Sequence, residues 1–171
     1  MKIIIDTREQ TPYQFATITP PPEVTRATLK TGDYSIEGFE DQVTIERKSL
    51  QDAFGTIGKG RRRFIRELER MSEYDAFGTI GKGRRRFIRE LERMSSYNFA
   101  AVVIEADWNT IIRNPPTRSK LNPKSVYSSI LAWMQRYGVH FVMAPNRAFA
   151  EKTTYRLLER YLKDHANEER P

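Results

Sequence analysis

The stretch "QVTIERKSLQDAFGTI", Gln42–Ile57, sets a strand directly against a helix. Alternation puts Val43, Ile45 and Arg47 on one face and Thr44, Glu46 and Lys48 on the other. Ser49 follows as the N-cap of a short helix, where its hydroxyl can take up an orphan backbone N–H. An acid and a lysine thus share one strand face at the strand's end, where both can point into a single cleft. Alone, the spacing E-x-K also fits an exposed polar face.

Working outward, "KIII" (Lys2–Ile5) reads as a buried strand ending at Asp6. "TPYQF" and Pro20, Pro21 and Pro22 mark a loop. "VTRATLKTGDYSI" reads as strand, turn at Gly32, strand. "FAAVVIEA" (Phe99–Ala106) is a buried strand interrupted by Glu105. The Pro-containing loop "RNPPTRSKLNPKS" leads to a helix over about Ser125–Arg136, a strand "VHFVMA" and a last helix over about Ala148–His165. Within the first of these helices Tyr127, Trp133 and Tyr137 read as core packing rather than as a base-stacking platform. Strands alternating with helices give an α/β class with a mixed central sheet flanked by helices. One domain over residues 1–167 and a frayed tail at 168–171 are expected.

Composition narrows the chemistry. The 171 residues include no cysteine and only His140 and His165, so thiolate and His-rich metal sites drop out. A metal would be held by carboxylates, which favours Mg²⁺ or Mn²⁺. No apolar run approaches a membrane span, and "MKIIIDTREQ" turns charged too early for a signal peptide. An intracellular protein with no membrane partner is expected. The net charge of +7 suits a polyanion, most often nucleic acid, though a basic enzyme without such a partner has the same balance.

Asp6, Asp33, Glu46 and Lys48 all sit at or near the ends of predicted strands, where α/β sheets build their sites. Converging carboxylates are costly unless a divalent cation neutralises them. A lysine beside such an ion can position or help deprotonate a water and stabilise charge on a phosphate. This is the kit for metal-assisted phosphodiester hydrolysis.

The fuller pattern is more specific. "GDY" (Gly32–Tyr34), "ERK" (Glu46–Lys48), three residues and Asp52 match GD-x(n)-ERK-x3-D. With "IIIDTREQTPY", "RRRF" and "AAVVIE", the chain resembles the XPF-type nuclease domain of the restriction-endonuclease-like superfamily over nearly its whole length. The resemblance implies Asp33 and Glu46 as metal ligands with the Arg47 backbone carbonyl, Asp6 near the ion, and Lys48 acting on the attacking water. It implies Arg8, Glu9, Arg47 and Asp52 as residues that shape the site or touch the substrate backbone. For Asp52 a first-turn helix acid that favours the macrodipole is the structural alternative. The substrate implied is DNA, branched or structured. Many such nucleases grip duplex with a C-terminal tandem helix-hairpin-helix region, which is not expected within these 171 residues, so the resemblance does not by itself imply flap or fork specificity. A non-catalytic nucleic-acid-binding module and an RNA-processing nuclease are the competing readings.

After the ERK strand the chain says nearly the same thing twice. Residues 52–74 and 75–97 repeat at a spacing of 23 and differ only at Glu73 against Ser96. They carry net charges of +2 and +3, five of the seven in the chain. In each copy an arginine block opens an amphipathic helix, with Phe64, Ile65, Leu68 and Met71 on one face of the first. Lys59, Arg61, Arg62 and Arg63, with Lys82, Arg84, Arg85 and Arg86 in the second copy, are the expected contacts to a nucleic-acid backbone. Two copies are too few for a solenoid, and so little drift points to a recent or engineered duplication. Only one apolar stripe can fill one slot, so the other copy is expected as an extra helical insertion whose ends lie close together. Exchange of the surplus stripe between two copies of the chain would give a swapped homodimer.

Overall fold

A computed structural model describes residues 1–57, 82–117, 119 and 121–165. The strands are β1 (Lys2–Asp6), β2 (Glu23–Ala27), β3 (Tyr34–Ile36), β4 (Val43–Lys48), β5 (Phe99–Ile104) and β6 (His140–Met143). The helices among the described residues are α1 (Leu50–Ile57), α2 (Lys82–Met94), α3 (Trp108–Arg113), α4 (Pro123–Tyr137) and α5 (Arg147–His165). The strands form one sheet in the order β2-β1-β3-β4-β5-β6. The pairs β1–β2, β4–β5 and β5–β6 are parallel, while β1–β3 and β3–β4 are antiparallel. This is the mixed sheet flanked by helices that the alternating elements imply.

Alternation along the strands splits the core in two. Val43 and Ile45 of β4 and Ala101 and Val103 of β5 pack on one side with Leu158 and Tyr161 of α5. Ala100, Val102 and Ile104 pack on the other with Phe54 of α1, Phe87, Leu91 and Met94 of α2, and Ile130 and Trp133 of α4. Trp133 is therefore core, whereas Tyr127 is exposed. Glu46 and Lys48 belong to the face of β4 that looks toward α1 and α2.

The strands expected on either side of the Gly32 turn are present as β2 and β3, but they are not neighbours, because β1 lies between them. The exposed edge strand β2 instead runs parallel to β1 in register from Lys2–Glu23 to Asp6–Ala27. The short helix α3 (Trp108–Arg113) covers a stretch to which the sequence reading assigns no element and runs one residue into the loop expected from Arg113. Its start is fixed by the Asp107 carboxylate accepting from the Thr110 N–H at 2.6 Å.

Among the described residues, each copy of the repeated text contributes to one helix, α1 from the first and α2 from the second. Ala53 and Phe54 come from the first copy, and Phe87, Leu91 and Met94 from the second, and all five share a single core. The end of α1 and the start of α2 touch: a Cβ built on Gly83 would lie 3.8 Å from the Gly55 carbonyl oxygen. The first-copy helix residues Phe64, Ile65, Leu68 and Met71 and the expected tail at 168–171 lie outside the described residues. Among the described residues no helix is long and apolar enough to cross a membrane.

Candidate active site

Gly32 sets the position of Asp33. Its φ of +73° is a conformation side chains disfavour, and a Cβ there would come within 2.1 Å of the Thr44 hydroxyl oxygen. That hydroxyl donates to the Thr31 carbonyl at 3.0 Å, which closes the turn. Asp33 is then held from both neighbouring strands. Its N–H donates to the Ile45 carbonyl at 2.9 Å, and its own carbonyl accepts from the Asp6 N–H at 2.8 Å. Its carboxylate accepts from the Arg47 backbone N–H at 2.8 Å. Asp33 thus lies against the backbone of β4 at the residue between Glu46 and Lys48.

Lys48 Nζ donates to Glu46 Oε1 at 2.7 Å, with the two side chains only 8% and 9% exposed. The ammonium also sits 4.2 Å from the centroid of the Phe87 ring, so α2 roofs the pair. Burial alone would lower the Lys48 ammonium, but Glu46, then Glu90 and Asp33, carry it above its ordinary value. Burial and, next, the charge of Glu46 push Asp33 up to about 9. Burial and the charge of Glu46 likewise push Glu90 of α2 up to about 7.

The donor set suits a hard divalent cation. Two carboxylates, Asp33 and Glu46, meet at a backbone segment whose carbonyls can add a further oxygen, and their mutual repulsion is what a cation relieves. Among the described residues no three His, Cys, Asp or Glu side chains are arranged to hold a metal ion. Mg²⁺ needs no such cage, since it commonly keeps several waters and takes one or two carboxylates.

The remaining expected residues sit around this centre. The Asp6 carboxylate, 1% exposed, accepts from Arg8 Nε at 2.7 Å, Arg8 Nη2 at 3.0 Å, the Arg8 N–H at 2.8 Å and the Leu29 N–H at 2.7 Å. Burial works against that carboxylate, yet these donors hold it below its usual range. Asp6 is thereby committed to Arg8, and it is the Arg8 guanidinium that feels the charges of Glu90 and Asp33. The Arg47 side chain turns to the opposite face of β4. There it forks onto Glu105 at 2.7 and 3.1 Å and lies 3.5 Å from Glu9. Asp52 closes a cap: the Ser49 hydroxyl donates to its carboxylate at 2.6 Å, and its N–H donates back to Ser49 Oγ at 3.1 Å. That geometry is the helix-start role weighed for it.

Of the expected backbone contacts, Lys59, Arg61, Arg62 and Arg63 lie outside the described residues, as does the side chain of Lys82. Arg86 is exposed and Arg85 half-buried. Arg84 departs from the expectation. It is 1% exposed and its guanidinium stacks 4.7 Å from the Trp133 ring centroid, so it packs inward rather than presenting its charge at the surface.

The family profile described as "ERCC4 domain" matches residues 5–157. The chain belongs to the ERCC4-domain family. Among solved structures, this ERCC4-domain chain resembles XPF from Aeropyrum pernix at 17% identity and a TM-score of 0.60, over 93% of this chain and 60% of that one. It also resembles XPF from Aeropyrum pernix in complex with DNA, at 18% identity and a TM-score of 0.60, over 95% of this chain and 66% of that one. The chain therefore spans about 60% of the length of the first of these. No curated protein sequence matches it.

Two residues of the ERCC4-domain site escape the sequence reading. Glu90 of α2 feels the charges of Glu46 and Lys48, and Glu105 anchors both Arg47, at 2.7 Å, and Arg147, at 2.9 Å. The glutamate equivalent to Glu90 in the first copy, Glu67, reads as a counterweight to the arginines. The place of Glu90 one helical turn from Phe87, on the flank of the buried stripe, is the signal that could have marked it. Glu105 interrupts an otherwise apolar strand run, and a charge at that point asks for a buried partner.

Proposed function

We propose that the chain is a metal-dependent endonuclease that hydrolyses phosphodiester bonds in DNA inside the cell, with branched or otherwise structured DNA as its substrate. The observation that carries this reading is the buried Glu46–Lys48 pair beside Asp33, itself locked to the backbone of Arg47. Asp33, Glu46 and the Arg47 carbonyl would hold Mg²⁺ or Mn²⁺, which when bound polarises a phosphate and offsets the charge it develops. Lys48 keeps its proton in this arrangement, so it acts as a positive donor that orients the attacking water and stabilises phosphate oxygens. Arg8, fixed by Asp6, supplies a second cation at the rim. Phe87 covers the pair and excludes bulk water, which strengthens each of these interactions.

The test is incubation of labelled single-stranded, duplex and forked DNA, and of RNA, with and without Mg²⁺ or Mn²⁺. Cutting of DNA that needs the cation, and that is lost in Lys48→Ala and Asp33→Asn with binding retained, is the expected result. Binding without cutting under every condition would favour the non-catalytic module, and preferential cutting of RNA the RNA-processing enzyme. Wild-type turnover in both variants would overturn the site. Homodimerisation by exchange of the repeated segment belongs to the same proposal and is read by light scattering.

A further inference from the structure

Four arginines of α2 share one side of the helix. At about 100° per residue, Arg85, Arg89, Arg93 and Arg86 fall within an arc of about a quarter-turn, opposite the side that buries Phe87 and Leu91. Arg86, Arg89 and Arg93 are exposed. A concavity on this side is lined, among the described residues, by these four arginines. None of the ion pairs formed among the described residues uses Arg86, Arg89 or Arg93. Four arginines along about two turns that line one concavity suit a repeating anion.

Its place in the fold says which one. Next around the helix from Arg86 and Arg93 comes Glu90, and beyond it the buried side whose Phe87 ring lies 4.2 Å from the Lys48 ammonium. The stripe therefore runs along the flank of α2 that borders the Glu46–Lys48 pair. From Arg85 to Arg93 the helix rises about 12 Å, and one strand of a duplex advances about 3.4 Å per phosphate, so three to four phosphates match its length.

We infer that Arg85, Arg86, Arg89 and Arg93 form a track for the backbone of the substrate DNA, which leads one strand past α2 to the Glu46–Lys48 pair. This rests on the nuclease reading but relocates the backbone contact from the start of the helix to its side. It assigns contacts to Arg89 and Arg93 and takes Arg84 out of the interface. The track reads phosphates and not bases, so it positions the scissile strand without selecting sequence.

The experiment measures binding of a short fluorescent DNA duplex to the whole chain in chelator, at a series of salt concentrations. The parent is compared with Arg89→Ala/Arg93→Ala, with Arg89→Lys/Arg93→Lys, and with Arg156→Ala/Arg160→Ala. The last pair lies exposed on α5, across the sheet, and removes the same charge. The slope of log K against log salt should become shallower by about 1.8 in the α2 alanine variant, two phosphates at about 0.9 each. The lysine and α5 variants should keep the parental slope, and all four thermal midpoints should agree. A parental slope in the α2 alanine variant, an equal loss in the α5 variant, or no salt-dependent binding by the parent overturns the track. Salt-dependent binding through the stripe without metal-dependent cutting would instead overturn the nuclease reading and leave the track standing.

Discussion

Lys48 is the counter-charge for Glu46, and removing it strands a buried carboxylate beside Glu90 and Asp33. Breaking a buried pair from one side costs about 3–5 kcal/mol, so Lys48→Met should lower metal-free stability in urea by that order at pH 8. A second prediction follows from Asp33. Its folded-state carboxyl is pushed up to about 9 against an ordinary value of 3.8. Between these limits the folded chain holds a proton that the unfolded chain has lost, so metal-free stability should fall as pH rises through the window. The slope is at most about 1.4 kcal/mol per pH unit for the one proton. Asp33→Asn, which can still accept from the Arg47 N–H, should flatten that fall and leave the variant more stable than the parent at pH 8. Saturating Mg²⁺ should close the gap, and thermal melts across pH 5–9 check both statements. Strand alternation made the Glu46–Lys48 face legible before any fold was known. The path of Asp6 was not, because its spacing from Arg8 says nothing of the Leu29 N–H that arrives from 23 residues away to complete its shell.

At the scale of elements, α2 is held by its stripe. Phe87, Leu91 and Met94 are at most 1% exposed, and a side chain so buried contributes about 1.5–3 kcal/mol. Leu91→Ala should cost about 2–5 kcal/mol in urea denaturation, whereas Arg86→Ala, on the exposed side, should stay within about 0.5 kcal/mol. The stripe of Phe, Leu and Met at helical spacing was plain in the sequence. The burial of Arg84 was not, because an arginine block reads as one charged surface until the helix phase fixes which member turns inward. Trp133 comes from α4, and a stacking partner on another element leaves no local trace. The turn that presents Asp33 was half legible. Gly32 marked a turn, but only the 2.1 Å approach to Thr44 shows why nothing larger fits. Gly32→Ala should destabilise by about 1–3 kcal/mol and, by moving Asp33, lower cutting more than binding.

For the whole molecule, the order of strands and helices followed from the pattern, while the sheet order did not. The insertion of β1 between β2 and β3 depends on pairing across 20 and more residues, which alternation cannot register. The repeated text poses the sharper question. Phe54 from one copy and Phe87 from the other meet in one core, and a Cβ built on Gly83 would come within 3.8 Å of the Gly55 carbonyl oxygen. Deleting Gly58–Ile80 removes one period of 23 residues and joins Ile57 to Gly81, which restores "DAFGTIGKGRRRF" across the junction. The loop-closure entropy of a connection falls as it shortens. The resulting chain of 148 residues should melt at or above the parental temperature, keep its metal-dependent cutting and run as a monomer in light scattering. A parent that dimerises while the deletion variant does not would place the exchange in the repeated segment. A variant that fails to fold, or that folds and no longer cuts, would make the second period integral to the domain rather than surplus to it.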